Sequence, residues 1–145
     1  MKVNNISELQ IRARYAETDM MGIIHHSVYP VWYEAARTEF IKLAGLTYTE
    51  LEKGGIMLPL SELNCKYLRP VKYEDVVTIQ TIVSKLSFAK LEFSYRVVLN
   101  GEIMASGSTL HGFVDAVTFH PVSLKKQRSE LYEKLKEMVV TEWPE

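Results

Sequence analysis

Hydrophobic spacing divides the chain into segments of two different periods. In residues 6–15, Ile11, Ala13 and Tyr15 alternate with Arg12 and Arg14, which predicts a first strand. From about Ser27 to Ala44 the spacing lengthens. Tyr29, Trp32, Tyr33, Ala36, Phe40, Leu43 and Ala44 then recur as one broad helical face. Ser27 suits the N-cap, Pro30 the first turn, and Gly45 a left-handed stop. A helix face this aromatic is expected to lie buried against a sheet.

Beyond residue 56 the two-residue period returns, over 57–68, 75–85, 89–99 and 102–115. Val77, Ile79, Thr81 and Val83 share one face, as do Leu91, Phe93, Tyr95, Val97 and Leu99. Asn100-Gly101 is a hairpin dipeptide, because both turn positions favour positive φ. A last helix is expected over 123–139, with Leu124, Leu131, Leu135 and Met138 on one stripe. Strand, long buried helix, four antiparallel strands and a closing helix together predict an α+β fold, a curved antiparallel sheet wrapped around one helix. The edges of such a sheet invite pairing, so an oligomer is expected.

Composition narrows the classes. The 145 residues are 47% hydrophobic and carry a net charge of −1, which suits a single domain over 1–145 and provides no basic field for nucleic acid. No run approaches the roughly 20 apolar residues of a membrane span. The start, Met1-Lys2-Val3-Asn4-Asn5, leads into no apolar signal core. Cys65 is the only cysteine, which excludes an internal disulfide and fits a reduced, cytoplasmic setting. The four histidines show no His-Glu-x-x-His spacing, so no metal is expected.

The segment between the first strand and the helix carries the chemistry. Within a dozen residues it holds Asp19, Gly22 and His26, the last at a helix start. A helix N-terminus offers unpaired N–H groups and partial positive charge, and can hold a carbonyl oxygen that turns negative. An ionised carboxylate can attack that carbonyl or deprotonate a water. Gly22 allows the chain to fold back so that Asp19 meets the helix start. These parts suit acyl transfer.

The pattern Arg14-Tyr15-x-x-x-Asp19-x-x-Gly22-Ile23-Ile24-x-His26-x-x-Tyr29, followed by Trp32-Tyr33-Glu34-Ala35-Ala36-Arg37, resembles the hotdog-fold thioesterases of the 4-hydroxybenzoyl-CoA thioesterase family. It is most similar to the small acyl-CoA thioesterases of the Tol-Pal-associated subgroup, and the likeness continues through Tyr67-Leu68-Arg69-Pro70-Val71-x-Tyr73-x-Asp75. The resemblance implies a hotdog fold, an acyl-CoA or acyl carrier protein thioester as substrate, no cofactor, and a homodimer or homotetramer with the acyl group entering between subunits. It implies Asp19 as catalytic carboxylate, His26 as supporting side chain and carbonyl-polarising amide, and Tyr15 as an active-site tyrosine. Gly22, Ile23 and Tyr29 fall within the substrate-binding motif. His25 and Val28 depart from it, standing where relatives often carry an aromatic residue and an asparagine.

Plainer readings stand beside these. Asp19 could be a capping carboxylate, and Tyr15 a core residue whose hydroxyl needs a partner. His25 is expected to point away from His26 and serve packing. Cys65, in phase with Leu63 and Tyr67, reads as a buried strand residue. Glu34 and Arg37 are spaced for an ion pair. Among the lysines and arginines, Arg69 and Lys90 are the better candidates for coenzyme A phosphates. The rival functions are a hotdog enoyl-CoA hydratase or dehydratase, and a non-catalytic acyl-CoA-binding module.

Overall fold

The computed structural model describes residues 5–144; the leader reading of Met1–Asn5 lies almost wholly outside them. Five strands form one antiparallel sheet: β1 (Ser7–Arg12), β3 (Leu60–Tyr67), β4 (Val76–Leu86), β5 (Lys90–Leu99) and β6 (Glu102–Gly112). Their spatial order is β1-β4-β5-β6-β3, which leaves β1 and β3 at the edges. A two-stranded ribbon pairs β2 (Ile56–Met57) with β7 (Val114–Asp115). Helix α1 (Val28–Leu43) contacts β1, β4 and β3, that is, both edge strands and the neighbour of one of them. Only a sheet wrapped around the helix permits this, and the expected hotdog architecture is borne out.

The alternating faces of β4 and β5 bury as expected over Val77, Ile79, Thr81 and Val83, and over Leu91, Phe93, Tyr95 and Val97, all fully enclosed. Leu99, expected on the same face, is only partly buried, because the register of β5 shifts between Val97 and Val98. The buried stripe of α1 is Tyr29, Trp32, Tyr33, Ala36, Phe40 and Ile41. Leu43, expected on that stripe, is 43% exposed instead, because the face ends at Ile41 as the helix reaches its C-terminus. Tyr33 stacks on Tyr95 with centroids 4.3 Å apart and planes 6° from parallel. A β-carbon at Gly107 would collide with the Asn64 carbonyl and lie 2.6 Å from the Tyr33 ring. The bare backbone of β6 therefore lets α1 seat this low. Asn100 and Gly101 have φ of 51° and 80°, as the hairpin requires.

Several boundaries differ from the periodicity. β1 stops at Arg12, and Tyr15–Glu17 form a 3-10 turn. The segment 57–68 is two strands parted at Leu58-Pro59, where the chain leaves the ribbon for the main sheet. The segment 102–115 divides likewise at Phe113. The short helix α2 (Tyr48–Lys53) is closed by a capping box from Thr47 to Glu50. The closing helix is two pieces, α3 (Leu124–Gln127) and α4 (Ser129–Met138), parted at Arg128 with φ −140° and ψ 67°. The stripe Leu124, Leu131, Leu135, Met138 is buried across both. Cys65 is only half-buried, not core, because β3 is an edge strand with Leu63 and Tyr67 46% and 47% exposed. No helix among the described residues is long and apolar enough to cross a membrane.

Candidate active site

The site begins with a small hairpin. Gly22, at φ 80°, reverses the chain, Thr18 bridges Ile24, and the Asp19 N–H donates to the Ile23 carbonyl at 2.8 Å. A left-handed position of this kind is nearly free for glycine and costly for other residues. The returning limb is stitched to the loop before β4, with the Ile24 N–H donating to Val71 O at 2.8 Å and Ile23 bridging Lys72. The chain then enters α1. The turn expected at Gly22 is present in this hairpin.

A cleft of about 400 Å³ opens beside this hairpin. Asp19, Met21, Ile23, His26 and Tyr29 form one wall, and the run Tyr67–Pro70 at the end of β3 forms the other. Thus Asp19, Ile23, His26, Tyr29 and Arg69 come together as expected, with Gly22 shaping the turn. The Asp19 carboxylate is partly exposed and accepts one bond from within the chain, from Met21 N–H at 2.8 Å.

The helix entrance combines satisfied donors with an open one at His26. The Val28 N–H is satisfied by His25 O at 3.0 Å and the Ser27 N–H by His25 Nδ1 at 3.1 Å. Among the described residues no acceptor takes the His26 N–H. Ser27 occupies the N-cap position but makes no capping bond through its side chain; its hydroxyl lies 2.8 Å from His25 Nδ1 instead. His25 therefore does the capping, and its ring does not point away: it lies 4.1 Å from the His26 ring. The Tyr67 hydroxyl donates to His26 O at 2.9 Å and so orients that residue's peptide. Loss of hydration at its hydroxyl, with the Cys65 thiol beside it, pushes Tyr67 up to about 12. Burial alone does the same to Tyr29, also to about 12, so both phenols keep their protons at neutral pH.

Two expected residues lie elsewhere. Tyr15 is 75% exposed on the outside of the 3-10 turn, edge-on to Tyr73 at 5.6 Å; it is neither core nor part of the cleft wall. Lys90 begins β5 opposite Gly112, seven places along β6 from Ala105, which faces Tyr67. At about 3.3 Å per residue that is some 23 Å from the cleft end of the sheet. Arg69 is on the cleft wall, in a solvent-exposed pair with Glu102 at 3.2 Å. Glu34 and Arg37 form no ion pair. Both line a separate hollow of about 480 Å³ near Met57 and Phe119, and Arg37 donates to the Tyr95 hydroxyl at 3.4 Å.

Tyr67 was missed as a site residue, although it stands in the quoted motif; its edge-strand position left its direction open. Glu17 was missed too. Its only sequence signal is an acid three residues after Arg14, at the end of a one-turn helix. Among the described residues no three His, Cys, Asp or Glu side chains converge as a metal site.

Comparison with known proteins agrees with this geometry. Residues 13–139 match the model of the thioesterase-like superfamily. YneP of Bacillus subtilis, a candidate acyl-CoA thioesterase, is 33% identical over 84% of this chain and 89% of its own. The acyl-CoA thioester hydrolase YbgC of Escherichia coli is 27% identical over 80% of this chain and 87% of its own. The DHNA-CoA thioesterase of Staphylococcus aureus superimposes with a TM-score of 0.87 at 34% identity, covering 91% of this chain and 89% of that one.

Proposed function

The chain belongs to the thioesterase-like superfamily and is an acyl-CoA thioesterase, and from that premise we propose that Asp19 and the His26 amide are its working parts. The thioester carbonyl enters the cleft with its oxygen toward the His26 N–H. Asp19 either bonds to the carbonyl carbon or takes a proton from the water that does. The negative charge gathering on the carbonyl oxygen is held by the amide and the positive end of α1. The carbon–sulfur bond breaks, and coenzyme A leaves as thiolate and takes up a proton. Where Asp19 has bonded to the carbon, water then cleaves the resulting anhydride and frees the Asp19 carboxylate; by either route water supplies the oxygen of the free acid.

One observation carries this reading: a carboxylate with spare acceptor capacity shares a cleft with His26, whose N–H at the helix entrance meets no acceptor among the described residues. Arg69 is placed to meet a coenzyme A phosphate. Its exposed pair with Glu102 contributes at most about 1 kcal/mol, so exchange for a phosphate costs little.

The Tol-Pal-associated subgroup, a cytoplasmic setting and a single catalytic domain complete the proposal. So does an assembly of at least two copies joined along the free edge of β3, with the acyl group entering between them. The edge strand and its flank present Leu60, Leu63 and Leu68, each about half exposed.

The test is Asp19→Asn, assayed for thiol release over short, medium, long and aromatic acyl-CoAs. We expect turnover to fall by about a thousandfold or more with the melting temperature unchanged. Turnover at the parent rate would overturn the assignment of Asp19.

A further inference from the structure

We infer that Glu17 is a positioning residue for the hydrolysis, its buried carboxylate locking the Asp19 hairpin to helix α1 through the Trp32 indole. The inference rests on the reading of Asp19 and the His26 amide given above.

Glu17 is the one acidic side chain buried among the described residues, at 9% exposure. Burying a carboxylate is costly unless its lone pairs are used, and here they are. One oxygen accepts from the Arg14 N–H at 2.8 Å and the other from Trp32 Nε1 at 3.1 Å; the Arg14 guanidinium stands 3.5 Å away. The Glu17 backbone carbonyl accepts from the His25 N–H at 2.9 Å. One residue therefore joins three segments: the chain leaving β1, the loop entering α1, and the second turn of α1, where Trp32 is 3% exposed.

Asp19 lies two residues further on and has no direct bond to α1. Its carboxylate is carried by a hairpin whose far limb is fastened to Val71 and Lys72. The near limb is fastened to the helix only by way of Glu17. The distance between the Asp19 carboxylate and the His26 amide is thus set on one side by Glu17, whose carbonyl holds the His25 N–H and whose carboxylate fixes that limb to the helix at Trp32. A misplacement of about 1 Å in such a pair costs on the order of a hundredfold in rate, and it acts on the chemical step more than on binding.

The experiment compares Glu17→Gln, Glu17→Asp, Trp32→Phe and the double variant Glu17→Gln/Trp32→Phe, with kcat and KM measured on the best acyl-CoA substrate of the parent. Glutamine offers an NH2 group where one donor needs an acceptor, aspartate shortens the reach by one methylene, and phenylalanine removes the indole donor while keeping most of the ring. Each single variant is expected to lose kcat by roughly ten- to a hundredfold with KM within about twofold. The double variant should be no slower than the worse single, because both break one bond.

Parent kcat in a folded Trp32→Phe or Glu17→Asp protein would overturn the proposal. So would a lowered melting temperature with kcat retained, or losses that multiply in the double variant. If Glu17→Gln does not fold, Trp32→Phe decides alone. A parent that releases no thiol from any acyl-CoA would instead sink the underlying reading of the site.

Discussion

Two parts of the molecule hold histidine among hydrogen-bonding neighbours, and they treat its bonding capacity in opposite ways. At the cleft, His26 is exposed, its amide proton has no acceptor in the chain, and Asp19 beside the same cleft has most of its lone pairs open. Beneath α1, His111 is 1% exposed and both ring nitrogens are engaged, Nδ1 with Leu58 O at 3.1 Å and Nε2 with Thr109 Oγ1 at 2.9 Å. The Thr109 hydroxyl meets the Tyr95 hydroxyl at 2.6 Å, and Arg37 reaches Tyr95 from the helix. One cluster is left open to a ligand and the other is closed on itself. The residue types are nearly the same in both. What marks the site is a carboxylate sharing its cleft with an open helix-entrance residue, not histidine or size of hollow, since the larger hollow has the carboxylates of Glu34 and Glu52 but no helix entrance in its lining.

The sharpest way to break this contrast is to remove the open group. Asp19→Asn keeps the shape of the side chain and its bond to Met21 while withdrawing the charge. The expected loss of about a thousandfold in turnover, with no change in unfolding midpoint, would separate chemistry from framework. A matching loss of stability would place Asp19 in the same class as His111.

The closed cluster should respond to pH and not to substrate. Burial, and to a smaller extent the Arg37 charge, lowers His111 from 6.5 to about 4, and its bond to Leu58 O offsets only part of this. The folded protein therefore holds the ring neutral while the unfolded chain protonates it. Stability from this residue is complete above pH 6.5, declines as pH falls through the window down to about 4, and is flat below. The full difference is about 3 kcal/mol. His111→Gln, which keeps polar atoms without a titration, should flatten that part of the acid limb in urea unfolding at pH 7, 5.5 and 4.5. An unchanged slope between pH 7 and 4.5 would refute the buried-neutral assignment.

The same contrast explains which features could be read before any coordinates. The stripe of α1 and the faces of β4 and β5 were legible because burial imposes a period on residue type, and Asn100-Gly101 because a tight hairpin demands positive φ. The breaks at Pro59, Phe113 and Arg128 leave the hydrophobic period almost intact, so the sequence pattern runs through them. In the site, Asp19, Gly22 and His26 announce themselves by local spacing along one loop. Tyr67 and Glu17 do not, because their partners are 41 and 15 residues away and only the fold brings them near. Tyr15 misled for the complementary reason. Its place in an alternating run implied a strand, whereas the chain turns after Arg12 to free Glu17 for Trp32.

The smallest expected effect sits where the two kinds of region meet. Tyr67 belongs to the sheet edge, stands edge-on to Tyr29 at 5.0 Å, and donates its hydroxyl to the carbonyl of the residue whose amide is open. Its phenol stays protonated to about 12, so this bond is constant across the range in which the enzyme can be assayed. Tyr67→Phe keeps the ring against Tyr29 and removes only that bond, worth about 1 kcal/mol. Because the bond orients the His26 peptide without contacting the substrate carbonyl, kcat should fall by several-fold while KM and the unfolding midpoint barely move. A loss as large as that of Asp19→Asn would mean that the hydroxyl itself meets the reacting atoms. No loss at all would mean that the helix entrance alone holds the amide in place.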